Sequence, residues 1–179
     1  LKIPIKIIKK KGFDFIEIFG EKNYMAFNYN VPSDISSSAF FIVLTLLSEN
    51  SNLIIRNINI NPGRIGSIKI LNKMGAKIRF KNIKYYKGEK IADIYVQSVK
   101  FLKGINAPKK FNSSAIDEFL ILFLAAAKAK GVSYFKDISE LNKKESPRLK
   151  LGSKILNMIG VKNKLTDSSI KIYGQPNLI

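Results

Sequence analysis

The sequence predicts an α/β (α+β) domain built from duplicated units in which helices and strands alternate. The first observation is that the order of predicted elements (helix, strand, helix, strand) occurs twice. The second is that two phrases nearly repeat each other, Ile70-Leu-Asn-Lys-Met-Gly75 and Ile155-Leu-Asn-Met-Ile-Gly160. Both phrases end an apolar helix on a glycine, a residue that commonly follows a helix C-terminus. A unit of roughly 80 residues that occurs twice is typical of a domain assembled from duplicated units.

Each unit is predicted to contain two helices and the strands that follow them. Apolar residues at helical spacing, such as Ile65, Ile68 and Leu71, indicate a helix with one buried face. In the second unit, Ser146 is the expected N-cap and Pro147 the first helical residue. The predicted elements are helices over 36–49 and 64–74 with strands over 52–58, 76–80 and 91–96, and then helices over 115–130 and 147–159 with strands over 132–138 and 169–173.

Residues 1–33 have a different pattern. Two strand-like stretches, 3–8 and 13–19, flank a charged turn, and 24–29 is a candidate third strand. Pro32 cannot donate a ladder hydrogen bond, so it excludes a central strand at that position. This part of the chain therefore resembles the end of a preceding unit.

These patterns predict the domain organisation. We assign 1–33 to the tail of a preceding unit and 34–179 to the domain that follows it. The second domain then holds two repeat units, about 34–100 and 101–179. Because the sequence begins at Leu1 within a strand-like stretch and without an initiator methionine, we expect a fragment of a longer protein.

The composition excludes several kinds of chemistry. The sequence has no cysteine and no histidine, so acid–base work falls to carboxylates, lysine or tyrosine, and an ordinary zinc site is not expected. Neither a signal peptide nor an apolar run of about 18 residues occurs, and the longest apolar run, Phe119–Ala127, is too short to span a bilayer. We therefore expect a cytoplasmic protein with no membrane partner.

The net charge of +18 has two interpretations. Clustered basic residues would indicate a nucleic-acid surface, which makes a basic RNA-binding or assembly domain the alternative function. Of the 31 basic residues, however, only Arg56, Arg64, Arg79 and Arg148 are arginines, and the lysines are spread over every segment. That distribution favours compositional drift over a specific nucleic-acid site, and it is also compatible with small anionic substrates.

The first candidate site precedes the second helix of the second unit. Charges of both signs lie in 140–148, with Lys144 and Glu145 in the loop and Arg148 in the first helical turn. A helix N-terminus flanked by two cations is suited to anions. The alternative is a capped, solvated helix start with no function.

The second candidate site is the start of the apolar helix in the same unit. Asp117 and Glu118 lie in its predicted first turn, where the helix dipole alone would favour carboxylates. The serines at 36–38 begin the equivalent helix of the first unit, so the two starts are expected at equivalent ends of the domain. Carboxylates and cations gathered at one rim favour a site over simple caps.

A series of blocks resembles the 5-enolpyruvylshikimate-3-phosphate synthase family of enolpyruvate transferases. Their order and spacing are similar to those of the family over essentially all 179 residues. The blocks are 31–40, 61–64, 71–76, 92–93, 102–104, 115–118, 125–127 and 140–148. The resemblance implies the enolpyruvate transferase fold, a two-domain inside-out α/β barrel made of repeated βαβαββ-type units, with the active site between the domains. It also implies that 1–33 is the tail of the N-terminal domain with the crossover, and that 34–179 belongs to the second domain.

The resemblance also implies a reaction and a role for each site residue. The family transfers the enolpyruvyl group of phosphoenolpyruvate to the 5-hydroxyl of shikimate 3-phosphate and releases phosphate. By similarity, Asp117 holds the shikimate hydroxyls and takes part in proton transfer, and Glu145 protonates and deprotonates the methylene carbon. Lys144 contacts both substrates, Arg148 binds phosphoenolpyruvate, and Glu140 is a further polar contact to the shikimate ring.

The family implies phosphoenolpyruvate and shikimate 3-phosphate as partners, a monomeric parent enzyme, and no metal, organic cofactor or specific nucleic acid. The sequence departs from the family at two positions near the site, with Asn142 where an arginine is usual and Pro147 where an aspartate is usual. Further binding residues of the family lie outside this sequence. We therefore expect the chain on its own to be inactive.

Overall fold

The computed structural model describes residues 5–20 and 26–178. The chain divides into two compact parts, Leu1–Val31 and Pro32–Ile179. The first contains an antiparallel hairpin of strands β1 (Ile5–Lys10) and β2 (Phe13–Ile18). Gly12 occupies the turn with φ +98°, a conformation that favours glycine.

The two strand predictions for this hairpin agree with the structure where it is described. Ile3 and Pro4, at the start of the first predicted strand, lie outside the described residues. The candidate third strand at 24–29 is wrong over 26–29, which has no regular secondary structure, and its first two residues also lie outside the described range. The assignment of residues 1–33 to a preceding domain stays a prediction.

The second part, Pro32–Ile179, contains two similar series of elements. Each series has the order helix, strand, helix, strand, strand. The elements are α1 (Ile35–Leu47), β3 (Asn52–Asn59), α2 (Gly66–Lys73), β4 (Lys77–Tyr86) and β5 (Glu89–Gln97), followed by α3 (Phe119–Ala127), β6 (Gly131–Phe135), α4 (Arg148–Met158), β7 (Asn163–Leu165) and β8 (Ile170–Gly174).

Two antiparallel sheets result, with strand orders β3-β5-β4 and β6-β8-β7. Isolated parallel bridges add positions beside each sheet, Ser33 beside Ile58 in the first series, and Lys103 beside Lys130 and Asn106 beside Tyr134 in the second. With these positions counted as a short first strand, each series has the βαβαββ order. The predicted fold class of repeated α/β units is confirmed.

Helix α3 is apolar on all sides because it lies in the core. Phe119, Phe123 and Phe135 are at most 1% exposed, and their ring centroids lie 5.3 to 6.0 Å apart. Aromatic rings at that spacing contribute more than their buried area alone. A helix that is hydrophobic all round is typical of a core position, and α3 has close neighbours in α1, α4 and β8, although Leu120 and Leu124 remain exposed.

Helices α3 and α4 approach each other closely at Gly152. A Cβ added at this glycine would lie 2.8 Å from Cδ2 of Phe123 and 3.0 Å from Cδ2 of Leu120. The glycine therefore permits a helix contact that any side chain would push apart. This close contact brings the start of α4 near the start of α3.

The predicted start of α3 is wrong. Ser113–Ala115 forms a 3-10 turn and the helix begins at Phe119, so Asp117 and Glu118 precede it instead of lying in its first turn. Glu118 occupies the N-cap position, but its side chain makes no capping hydrogen bond. Both residues have side-chain partners on other elements, described below.

The predicted start of α4 is shifted by one residue. The helix begins at Arg148 with Pro147 in the N-cap position, so Ser146 is not its cap. Strand β7 was not predicted, because a strand of three residues leaves too short a pattern in the sequence. No helix within residues 5–20 and 26–178 is both long enough and apolar enough to cross a membrane.

Candidate active site

Four of the five predicted site residues lie together at the starts of α3 and α4. Lys144 Nζ lies 3.6 Å and Arg148 Nη1 3.3 Å from the same oxygen, Oδ1 of Asp117. Arg148 Nη2 lies 3.1 Å from Oε2 of Glu145. One arginine thus contacts two carboxylates that are 28 positions apart in the sequence.

The four side chains differ in exposure. Arg148 and Lys144 are 27% and 28% exposed and Asp117 is 38% exposed, whereas Glu145 is 83% exposed. The cations are partly shielded from water, so their attraction for an anion is screened less than at an open surface. Since two cations face two carboxylates, an incoming anion must compete with Asp117 and Glu145 for them.

The pKa of Glu145 is lowered from its usual value of 4.5. The first cause is a hydrogen bond from its own backbone N–H, and the second is the charge of Arg148, with a smaller contribution from Lys144. Both cations favour the ionised carboxylate. Glu145 is therefore a carboxylate at neutral pH while Arg148 remains beside it.

Glu140 lies apart from this group. It is exposed on the 3-10 turn Ser139–Lys143 and forms no ion pair with any residue in the described part of the chain. Leu141 of the same turn is fully buried and anchors it to the core. The structure thus places Glu140 on the loop before the site without joining it to the other four residues.

Asn142 holds that loop against α4. Its Oδ1 accepts a hydrogen bond of 3.3 Å from the backbone N–H of Lys150, in the first turn of the helix. Its Nδ2 donates to the carbonyl oxygen of Asp167 at 3.5 Å. Pro147, in the N-cap position, has no side-chain oxygen that could accept a hydrogen bond from Lys150 N. Asn142 therefore does from the loop what an N-cap residue does from within the chain.

A second polar cluster, which the sequence did not predict as a unit, lies next to Asp117. Glu118 is 4% exposed, and its Oε1 accepts a 2.5 Å hydrogen bond from Ser36 Oγ. Arg64 Nη2 donates to the same Ser36 Oγ at 2.9 Å and lies 3.4 Å from Oδ1 of Asp34. One feature of the sequence could have indicated this cluster: Ser36 and Arg64 each lie in a block that resembles the family.

Two pKa shifts in this cluster have opposite directions. Burial raises the pKa of Glu118 above its usual 4.5, and the hydrogen bond from Ser36 only partly offsets it. For Asp34, burial is also the largest single cause and acts upwards, but hydrogen bonds from Ser37 and Ser36 and the charge of Arg64 outweigh it. The pKa of Asp34 is lowered as a result, and this residue caps α1 through Ser37 N at 2.8 Å.

Among residues 5–20 and 26–178, no group of three or more acidic, histidine or cysteine side chains is placed to hold a metal ion. The arrangement at the starts of α3 and α4 can bind an anion with Lys144 and Arg148. It can also accept or donate protons with Asp117 and Glu145. These are the functions that an acid–base reaction on an anionic substrate needs.

Comparison with known proteins places this chain among enzymes of one kind. A sequence model of EPSP synthase (3-phosphoshikimate 1-carboxyvinyltransferase) matches residues 2–178. The chain is 42% identical over 172 residues to the 3-phosphoshikimate 1-carboxyvinyltransferase of Ruthia magnifica subsp. Calyptogena magnifica, and 43% identical over 145 residues to that of Legionella pneumophila strain Lens. These matches cover 92% and 81% of this chain.

A solved structure gives the same result. The structure of EPSP synthase from Acinetobacter baumannii superimposes with a TM-score of 0.87 and 37% sequence identity over 97% of this chain. The chain spans 39% and 33% of the length of the Ruthia and Legionella relatives and 38% of the Acinetobacter chain.

Proposed function

The chain belongs to the EPSP synthase family, and on that premise we propose that it forms one wall of an enolpyruvyl-transfer site. The reaction joins the enolpyruvyl group of phosphoenolpyruvate to the 5-hydroxyl of shikimate 3-phosphate and releases inorganic phosphate. The observation that carries the proposal is the contact of Asp117 with both Lys144 and Arg148, beside Glu145. Cations for two anionic substrates and carboxylates for proton transfer lie within one group of ion pairs.

Each residue of the group has a step in this reaction. Glu145 gives a proton to the methylene carbon of phosphoenolpyruvate, which makes the neighbouring carbon C2 electron-poor. The 5-hydroxyl oxygen then bonds to C2, and its proton passes to Asp117 with Lys144 beside the reacting oxygen. Finally Glu145 takes a proton back from the methyl group, the double bond re-forms, and the C2–O bond to phosphate breaks with its electron pair on phosphate. The leaving phosphate accepts the proton held by Asp117, so both carboxyl groups return to their starting states.

Arg148 links substrate binding to the protonation of Glu145. In the unliganded chain the guanidinium helps to keep Glu145 ionised, which is the wrong state for a proton donor. The anionic groups of phosphoenolpyruvate compete for the same guanidinium and weaken its hold on Glu145. The pKa of Glu145 then moves back towards its usual value of 4.5, which favours the protonated carboxyl relative to the unliganded chain.

The remaining parts of the proposal follow from the family. The enzyme acts as a monomer in the cytoplasm, needs no metal or organic cofactor, and does not recognise a specific nucleic acid. A chain with no cysteine is compatible with a reducing compartment. Because the chain spans 39% of the length of the Ruthia relative, the activity belongs to the full-length protein, and the chain alone is expected to be inactive.

The test is the release of inorganic phosphate by the full-length protein. We expect turnover with phosphoenolpyruvate and shikimate 3-phosphate together, and none when shikimate replaces its 3-phosphate. Asp117→Asn and Glu145→Gln should each lower kcat by about 100-fold or more, the usual scale of a lost proton-transfer group. Asp137→Asn is the matched control, because this exposed carboxylate pairs with Lys109 outside the group. Absence of turnover, or unchanged kcat in both site variants, would contradict the proposal.

A further inference from the structure

Glu118 is a buried carboxyl group that the proposed reaction does not use. It is 4% exposed, although it directly follows Asp117 and precedes the first residue of α3. Its side chain does not cap the helix. Burial of a carboxyl group is costly unless the group has a hydrogen-bond partner, so its position requires a specific contact.

That contact joins the two repeat units. Ser36, which donates the 2.5 Å hydrogen bond to Glu118, lies 82 positions earlier, in the first turn of α1. Ser36 in turn accepts from Arg64, which also lies 3.4 Å from Asp34. The turn that holds Asp117 is thus bound through one side chain to the capped N-terminus of a helix in the other unit.

The backbone of Glu118 transmits this attachment to its neighbour. Its N–H donates to the carbonyl oxygen of Ala115 at 3.0 Å, and its own carbonyl oxygen accepts from Leu122 N at 3.0 Å. Glu118 therefore joins the 3-10 turn before it to helix α3 after it. Asp117 lies between this 3-10 turn and Glu118, so any displacement of Glu118 also moves the Cα of Asp117.

A second close approach supports the same junction. A Cβ added at Gly66, the first residue of α2, would lie 2.6 Å from the carbonyl carbon of Ser114. The 3-10 turn that leads to Asp117 therefore packs directly against the backbone of the first unit. The charged groups that act on the Glu118 carboxyl are Asp117, Arg64 and Asp34, with Ser36 as its neutral donor.

We propose that Glu118 is a positioning residue, whose hydrogen bond from Ser36 fixes the turn that places Asp117 against Lys144 and Arg148. The proposal rests on the proposed function for its kinetic consequence only. Its structural consequence, a fixed turn at residues 114–119, holds whatever the reaction is. Ser36 and Arg64 support that turn from the first unit.

The test combines hydrogen exchange with kinetics in the full-length protein. In Glu118→Ala and in Ser36→Ala, exchange of the amides at 116–119 should rise by about tenfold or more, because the turn loses its attachment. Glu118→Gln keeps an oxygen that can accept from Ser36, so its exchange and kcat should stay within about threefold of the wild type. Ser36→Ala also keeps the test possible if Glu118→Ala does not fold.

A double-mutant cycle separates positioning from general damage. If Glu118 acts through Asp117, then Glu118→Ala should lower kcat by about tenfold in the wild type and by less than about twofold in an Asp117→Asn background. Asp93→Ala is the matched control, since Asp93 is also a buried carboxylate, which accepts hydrogen bonds from Asn57 N at 2.9 Å and from Asn82 Nδ2 at 2.8 Å. It should destabilise the protein but leave kcat within about twofold of the wild type.

The two proposals can fail separately. A wild type without turnover would overturn the proposed function, while the exchange measurement would still decide the role of Glu118. Unchanged exchange at 116–119 in both Glu118→Ala and Ser36→Ala, or additive kinetic losses in the cycle, would overturn the positioning role. Equal losses in Glu118→Gln and Glu118→Ala would overturn it as well, because the charge and not the hydrogen bond would then matter.

Discussion

Arg148 is the residue through which the two carboxylates of the proposed site influence each other. Its two terminal nitrogens lie 3.3 Å from Asp117 and 3.1 Å from Glu145, so a single guanidinium serves both. A planar group with forked donors suits this arrangement, and a lysine at the same position could not reproduce it. The protonation of Glu145 therefore depends on what Arg148 binds.

This dependence predicts the effect of removing the guanidinium. Arg148→Gln should raise the pKa of Glu145 part of the way back to 4.5, because the hydrogen bond from the backbone of Glu145 remains. Titration of the Glu145 carboxyl carbon by NMR measures the change. Lys150→Gln, on the exposed side of the same helix, is the control. A pKa of Glu145 that is the same in Arg148→Gln as in the wild type would exclude the coupling.

Glu118 predicts a second pH effect, on stability. Its pKa is above 4.5 in the folded chain, so its contribution to stability is complete below pH 4.5 and is lost as the pH rises through the raised value. Glu118→Gln has no proton to lose. Urea midpoints from about pH 4.5 to 8 should therefore fall for the wild type relative to Glu118→Gln. A difference between the two midpoints that stays constant over this range would refute the raised pKa.

At the scale of the element, the N-terminus of α4 depends on a residue outside the helix. Asn142 and Pro147 are the two positions near the site where the resemblance implies a different residue, and the structure connects the two. The proline leaves the helix without a side-chain cap, and Asn142 supplies the acceptor for Lys150 N from the preceding loop. The same hydrogen bond holds the loop that contains Lys144.

Asn142→Ala should therefore lower the free energy of unfolding by about 1 kcal/mol, the usual cost of a lost N-cap. Adding Pro147→Asp to that variant should recover most of the loss, since an aspartate at the N-cap position accepts from the first turn directly. Urea denaturation measures both, and Lys143→Ala in the same turn is the control. No loss in Asn142→Ala, or no recovery in the double variant, would show that the hydrogen bond is not the cap.

The longer helices and strands were predictable from the sequence, whereas their ends, the short strand β7 and the absence of a strand at 26–29 were not. The apolar spacing around Ile68 and Leu71 predicts α2 because periodicity is a local property of the chain. The residue before α3, Glu118, has its partner in Ser36, 82 positions away, and the acceptor at the start of α4 is Asn142, eight positions from its partner. Such contacts leave no periodic signal.

The same distinction applies to the site. The types of residue at 140–148 indicated an anion site with carboxylates, and the duplicated pattern placed Asp117 at the same rim. Neither indicated that Asp117 would contact both cations, because that contact depends on the close packing of α3 on α4 at Gly152. The role of Glu118 was missed for the same reason, since a carboxylate near a helix start already has a local explanation.

At the scale of the whole molecule, the charge of +18 is distributed rather than concentrated. Several lysines lie over aromatic rings in different elements, Lys10 over Phe15 at 4.8 Å and Lys81 over Tyr95 at 4.4 Å among them. Such pairs bury the apolar stem of the lysine and leave the charge near water. Lysines held in this way add general attraction for anions, without the forked donors that read a nucleic-acid base.

We therefore expect only salt-sensitive adsorption to nucleic acid. A single-stranded RNA oligonucleotide that binds the full-length protein at low salt should be released by about 0.3 M NaCl, with no preference among sequences. Fluorescence anisotropy during a salt titration measures this, with poly-lysine of similar charge as the control. Binding that persists at that salt and distinguishes between sequences would instead support the RNA-binding alternative.

One measurement decides whether this chain supplies the proton donor and acceptor for the methylene carbon. The full-length protein is allowed to turn over phosphoenolpyruvate and shikimate 3-phosphate in D2O, and the methylene group of the product is examined by NMR. Since Glu145 exchanges its proton with solvent between turnovers, the wild type should place deuterium on this carbon, and Glu145→Gln should do so about 100-fold more slowly or worse. Deuterium incorporation by Glu145→Gln at the wild-type rate, or turnover of the wild type without any incorporation, would contradict the assignment.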